Sequence, residues 1–102
     1  MTDKTPTDQL FEAWAAFDTS LWEGNGLNPD ALESVKAALA ALKDEWSAQE
    51  RVPKSVAALL IEMFPATEAN AAAYRERGSS QASQIDEAAY ELQQLIADAL
   101  LE

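Results

Sequence analysis

Apolar side chains along this chain recur at helical spacing, and no stretch alternates as a half-buried strand does. Leu10, Trp14, Phe17 and Leu21 stand at i, i+4, i+7 and i+11, which predicts an amphipathic helix over residues 6–22 with Phe11 and Trp22 on its flank. Leu32, Val35, Leu39, Leu42 and Trp46 advance by threes and fours, predicting a second helix over 29–50. That is coiled-coil spacing over barely two heptads, so it reads as ordinary bundle packing. Residues 53–64 are apolar nearly all round and predict a short third helix in the middle of the bundle. Residues 66–77 form an alanine-rich segment with Tyr74 as its one large apolar group. A last helix over 82–101 would bury Ile85, Ala88, Ala89, Leu92, Leu95, Ile96, Ala99 and Leu100. The expected fold class is all-α, a single-domain bundle of four to five short helices over residues 1–102, with residues 1–5 flexible.

The breaks between these segments have their own chemistry. Each of the four prolines sits where a helix would start, because its fixed φ suits the first turn and its missing N–H is not needed there. Thr5-Pro6-Thr7-Asp8 reads as N-cap, first helical residue and an acid at the third position, close to a capping box. Asn28-Pro29-Asp30 repeats that logic. Val52-Pro53 and Phe64-Pro65 lack a good capping side chain and predict tight bends between packed helices. Gly78 is the expected left-handed C-cap of the fourth segment, with Ser79, Ser80 or Ser83 starting the fifth.

Composition removes most catalytic chemistry. The chain has neither cysteine nor histidine, so disulfides, thiolate nucleophiles, a Ser-His-Asp triad and the usual zinc, copper or haem ligands cannot be built. An enzyme would have to work with carboxylates alone or a desolvated lysine in a deep cleft, which a small helical domain has little room for. The expectation is no enzyme, no cofactor and no metal. The first eight residues hold no apolar stretch of signal-peptide length, and the longest apolar run, Val56 to Ile61, is too short to span a bilayer. A cytoplasmic protein is expected.

Three short motifs fail on inspection. Trp22-Glu23-Gly24 resembles the W-x-G of small secreted helical-hairpin proteins, but prolines 29, 53 and 65 cut the chain where that family has long helices, and Gln94 replaces the acid of its tail signal. Asp18-Thr19-Ser20-Leu21 resembles the D-S-L of phosphopantetheine carriers with an intruding threonine; Asp18 capping a final turn is the simpler expectation. An EF-hand loop starting at Asp18 would need glycine at its sixth position, where Glu23 stands.

Charge is the feature left to carry function. Residues 1–35 hold seven carboxylates against one lysine, residues 36–77 balance six against six, and residues 78–102 hold five against none, for a net −11. Such a field repels nucleic acid and anionic lipid and attracts basic partners. Glu87, Glu91 and Asp98 share an outward face of the last helix, which has no Lys or Arg to neutralise them, and Asp8 with Glu12 forms a similar pair on the first. Tyr90, Ala97 and Leu101 make a neighbouring stripe in which the tyrosine could anchor an interface, and Trp22 is a further candidate contact. Lys36 and Lys43, one heptad apart, are placed to pair with the first or last helix. The expected function is a non-catalytic acidic protein that sequesters or inhibits a basic, nucleic-acid-handling protein partner, as immunity, antitoxin or phage-inhibitor proteins do. It would touch no nucleic acid or membrane directly and would be a monomer or homodimer. The alternative is a homo-oligomeric structural or adaptor protein that pairs through apolar helix faces.

Overall fold

The first helix starts on a reciprocal cap. In the computed structural model, which describes residues 5–101, Thr5 Oγ1 accepts the Asp8 N–H at 3.1 Å and the Asp8 carboxylate accepts the Thr5 N–H at 3.3 Å. Thr5 therefore belongs to the helix cap, and the expectation for residues 1–4 lies outside the described residues. Helix α1 runs Pro6–Trp22 and ends in a Schellman motif: Gly24 has φ +80°, its N–H donates to the Leu21 carbonyl, and the Asn25 N–H donates to that of Ser20. Against expectation, Asp18 neither breaks nor caps this helix. It lies inside α1 and accepts a hydrogen bond from Asn70 Nδ2 at 3.1 Å, which lets a partly buried carboxylate stay in helical geometry.

Helix α2, Pro29–Trp46, begins where Asn28 Oδ1 accepts the Ala31 N–H. It stops four residues before the expected end at 50. Trp46 is its last buried side chain, and Ser47, Ala48, Gln49 and Glu50 are all exposed, so no packing holds a further turn.

Helix α3, Lys54–Glu76, corrects the sequence reading most. The helix break expected at Phe64-Pro65 is absent, and the two predicted segments are one continuous helix. Pro65 faces solvent, whereas Val56, Leu60, Met63, Thr67, Ala71 and Tyr74 form an unbroken buried line past it. Packing on both sides of the proline outweighs its missing N–H. The rod ends at Gly78, φ +73°, in a second Schellman motif, and Ser79 Oγ accepts the Gln81 N–H just before α4, Ala82–Leu101.

The four helices form two hairpins. α1 packs on α2 and α3 on α4; the hairpins join through α2 against α4 and more lightly through α1 against α3, while the backbones of the diagonal pairs stay apart. A hydrogen bond between the loop before α2 and the turn before α4, Leu27 N–H to Gln81 Oε1, puts both helix starts at one end of the bundle, so α2 and α4 run parallel. Leu10, Phe17 and Leu21 of α1 meet Val35, Leu39, Leu42 and Trp46 of α2, Val56, Leu60 and Met63 of α3, and Ile85 and Leu92 of α4 in one core.

The third segment is not the central helix expected. Val56 and Tyr74 are 18 residues apart, about five turns, so the continuous rod has one core face fixed along its whole length. Leu59 is left half-buried and Ile61 75% exposed, and the middle of the bundle is the α2–α4 contact instead. Leu100, expected in the α4 core, is exposed for the same reason: it lies off the line set by Ile85, Leu92, Ile96 and Ala99.

Candidate functional site

The outward face of α4 carries the candidate residues, but not as an unbroken acidic row. Glu91 is paired: Lys36 Nζ of α2 lies 2.6 Å from Glu91 Oε2 and 3.4 Å from Glu33 Oε1. The expected pairing of Lys36 with the last helix is thus present, and the expectation that Glu91 lacks a neutralising cation is corrected. The hydrogen bond from Lys36 to Glu91 outweighs the desolvation of its amine and raises the lysine pKa above its ordinary value. Glu87 is exposed and makes no ion pair among the described residues. Asp98 Oδ1 accepts a hydrogen bond from Gln94 Nε2 at 3.0 Å, one turn earlier on the same face. Tyr90 is 59% exposed, and its ring meets that of Phe64 on α3 edge-on, with centroids 5.2 Å apart.

The candidates on α1 lie apart from this face, since α1 and α4 stand diagonally across the bundle rather than side by side. Asp8 is engaged in the cap of its own helix. Glu12 lines an open groove of about 370 Å³ between α1 and α2, with Gln9, Ala13, Ser34 and Ala37. Trp22, 79% exposed, ends α1 about ten residues, or ~15 Å, further along the axis. The structure therefore brings Glu87, Glu91, Tyr90 and Asp98 together and separates them from Asp8, Glu12 and Trp22.

Sequence reasoning missed the polar latch at the other end of the bundle. Tyr74 Oη donates to the Leu21 carbonyl at 3.0 Å and accepts the Gly26 N–H at 2.9 Å. Gln81 Oε1 accepts the Leu27 N–H at 2.8 Å, and the Ser20 hydroxyl donates to the Gly26 carbonyl. Arg77 stacks on the Tyr74 ring with its guanidinium carbon 4.4 Å from the centroid. These groups close the loop between α1 and α2. Arg75 binds Asp86 between α3 and α4, so Asp86 is spent on the hairpin. Among the described residues no cluster of three or more acids could hold a metal ion, and no helix is long and apolar enough to cross a membrane.

No protein-family model matches the sequence, and no curated protein or solved structure does either.

Proposed function

We propose that this protein is a non-catalytic acidic binder that acts in the cytoplasm, where it sequesters or inhibits a basic protein partner in the manner of immunity, antitoxin or phage-inhibitor proteins. One observation carries the reading. Glu87 and Asp98 stand on either side of the exposed Tyr90 and Gln94 on a helix without a single cation, in a chain of net charge −11. An aromatic ring among acids supplies both halves of a protein interface: a desolvated anchor, and a field that steers a positive surface onto it. The one like-charge i, i+4 pair on this face, Glu87 with Glu91, is relieved by Lys36, so Glu87 and Asp98 keep their charge for a partner at little cost to the fold. Nucleic acid and anionic lipid meet the same field as repulsion.

The test is capture from the native lysate by immobilised wild-type protein and by a Glu87→Lys, Asp98→Lys variant, each at low and high salt. Glu91 is kept, because its pair with Lys36 serves the fold. Basic proteins should be held by the wild type at low salt, released at high salt and missed by the variant, with helicity unchanged by circular dichroism. The same set of captured proteins in all four conditions overturns the reading, and a self-associated mass that persists as salt rises replaces it with the oligomeric adaptor.

A further inference from the structure

The α4 face continues onto α3, and the continuation is apolar. The Phe64–Tyr90 ring contact joins the two helices at the surface. From Phe64 the exposed side of α3 runs back through Ile61 and Ala57; from Tyr90 that of α4 runs forward through Ala97 and Leu101. Arg75, at the end of α3, binds Asp86, at the start of α4, so the two helices are antiparallel and both runs head for the same end of the bundle. Ile61 is 75% exposed, Leu101 84% and Tyr90 59%, with Ala57, Phe64 and Ala97 half-buried beside them. From Tyr90 to Leu101 the stripe is ~16 Å long, about three helical turns. Exposed apolar side chains aligned this way are costly in water unless something covers them.

The border says what kind of body that is. Glu87 and Asp98 lie along the α4 side of the stripe, on the neighbouring face of the helix, and Glu68 stands one turn beyond Phe64. The cations of the two helices sit at the stripe's ends, Lys54 at one and Arg75, already bound to Asp86, at the other. A second copy of a −11 chain would bring like borders together, and an anionic bilayer would meet the same repulsion. A segment with an apolar seam and a positive rim fits both parts of the surface.

We infer that the α3–α4 stripe is the docking site for a basic amphipathic helix of about three turns, with apolar side chains at i, i+3 or i+4 and i+7 seated on Ile61, Phe64, Tyr90 and Leu101, and Lys or Arg side chains meeting Glu68, Glu87 and Asp98. This rests on the reading that the partner is basic and specifies how it binds.

The probe is a fluorescent leucine–lysine peptide of about 18 residues with leucines at helical spacing, set against a peptide of the same composition with the leucines scrambled. Binding is read by anisotropy to wild type, to Ile61→Glu, to Tyr90→Ser and to Ala40→Glu, an exposed control on α2. Each Glu substitution adds a negative charge, so electrostatics alone would tighten binding in both. The stripe demands opposite results: Ile61→Glu and Tyr90→Ser should weaken the amphipathic peptide about tenfold, whereas Ala40→Glu leaves it unchanged or tighter. All three positions are exposed, and circular dichroism checks that each variant folds. Equal binding of the two peptides, or Ile61→Glu behaving as Ala40→Glu does, overturns the inference while leaving the charge-based function to its own lysate test. A dimer by sedimentation without peptide, dissolved by Ile61→Glu, also overturns it and assigns the stripe to a second copy.

Discussion

Tyr74 gathers one end of the bundle onto a single hydroxyl, which donates to α1 at Leu21 and accepts from the loop at Gly26. Tyr74→Phe leaves the buried Gly26 N–H without its acceptor and should cost about 1–3 kcal/mol, read as a lower denaturation midpoint together with faster amide exchange at Gly26. The two glycines that flank this region separate backbone strain from crowding. Gly78 has φ +73° with open space where a Cβ would lie, so Gly78→Ala should cost only the left-handed strain, ~1–2 kcal/mol. Gly26 has φ +90°, and a Cβ there would come within 2.9 Å of the Gln81 amide that bonds Leu27, so Gly26→Ala should cost measurably more. Lys36 adds a pH signature. Its pKa is raised in the folded state, so its contribution is complete below the ordinary lysine value and is lost as pH climbs through the folded one. The stability gap between wild type and Lys36→Met should therefore hold from neutrality upward and shrink above about pH 10.5 in urea titrations. The sequence marked Tyr74 as the one large side chain of its segment, but nothing in periodicity reveals a hydroxyl bonded 48 residues away.

Among the elements, those with strong local signals were legible. Thr5-Pro6 and Asn28-Pro29 start helices with the predicted side-chain caps, and Gly78 ends α3 with the predicted positive φ. At Pro65 the local preference for a helix start is overridden by the tertiary packing on both sides of it. Once the rod is continuous, its core face is fixed and the roles of two adjacent leucines diverge. Leu60 is buried and Leu59 half-buried, so Leu60→Ala should cost ~2–5 kcal/mol and Leu59→Ala clearly less, in paired denaturant titrations. Pro65 itself is a local flaw. Pro65→Ala restores the N–H that can donate to the Ile61 carbonyl and removes the ring from the preceding turn, so it should stabilise the protein by about 1–3 kcal/mol. The faces of α4 are legible in its sequence, where a single helix shows them, and those of α3 are not, because residues 53–64 read alone are apolar nearly all round and place Ile61 and Phe64 inside the bundle.

On the scale of the whole molecule, charge and fold pull against each other, and the pull is measurable. A chain of net −11 repels itself when compact, so its melting temperature should rise with added salt as the Debye length contracts. The three acids on the outward face of α4 contribute to that repulsion unequally, Asp86 being paired with Arg75. Glu91 is neutralised by Lys36 at 2.6 Å, whereas Glu87 is exposed and Asp98, half-buried, has a hydrogen bond from Gln94, on a helix with no cation of its own. Glu87→Lys and Asp98→Lys should each leave stability unchanged or raise it by a few tenths of a kcal/mol, and should flatten the salt response. Glu91→Lys should instead lower stability, by up to ~1 kcal/mol for a partly exposed pair, because it sets a second ammonium against Lys36. If the α4 face exists for a basic partner, the two stabilising reversals are the ones that abolish capture, and stability and binding move in opposite directions at Glu87 and Asp98. Melting curves of the three single variants at low and high salt, read beside their capture of basic proteins, check both halves of this expectation. Reversals at Glu87 and Asp98 that stabilise the fold and leave capture intact would show that these two acids are a solubilising surface.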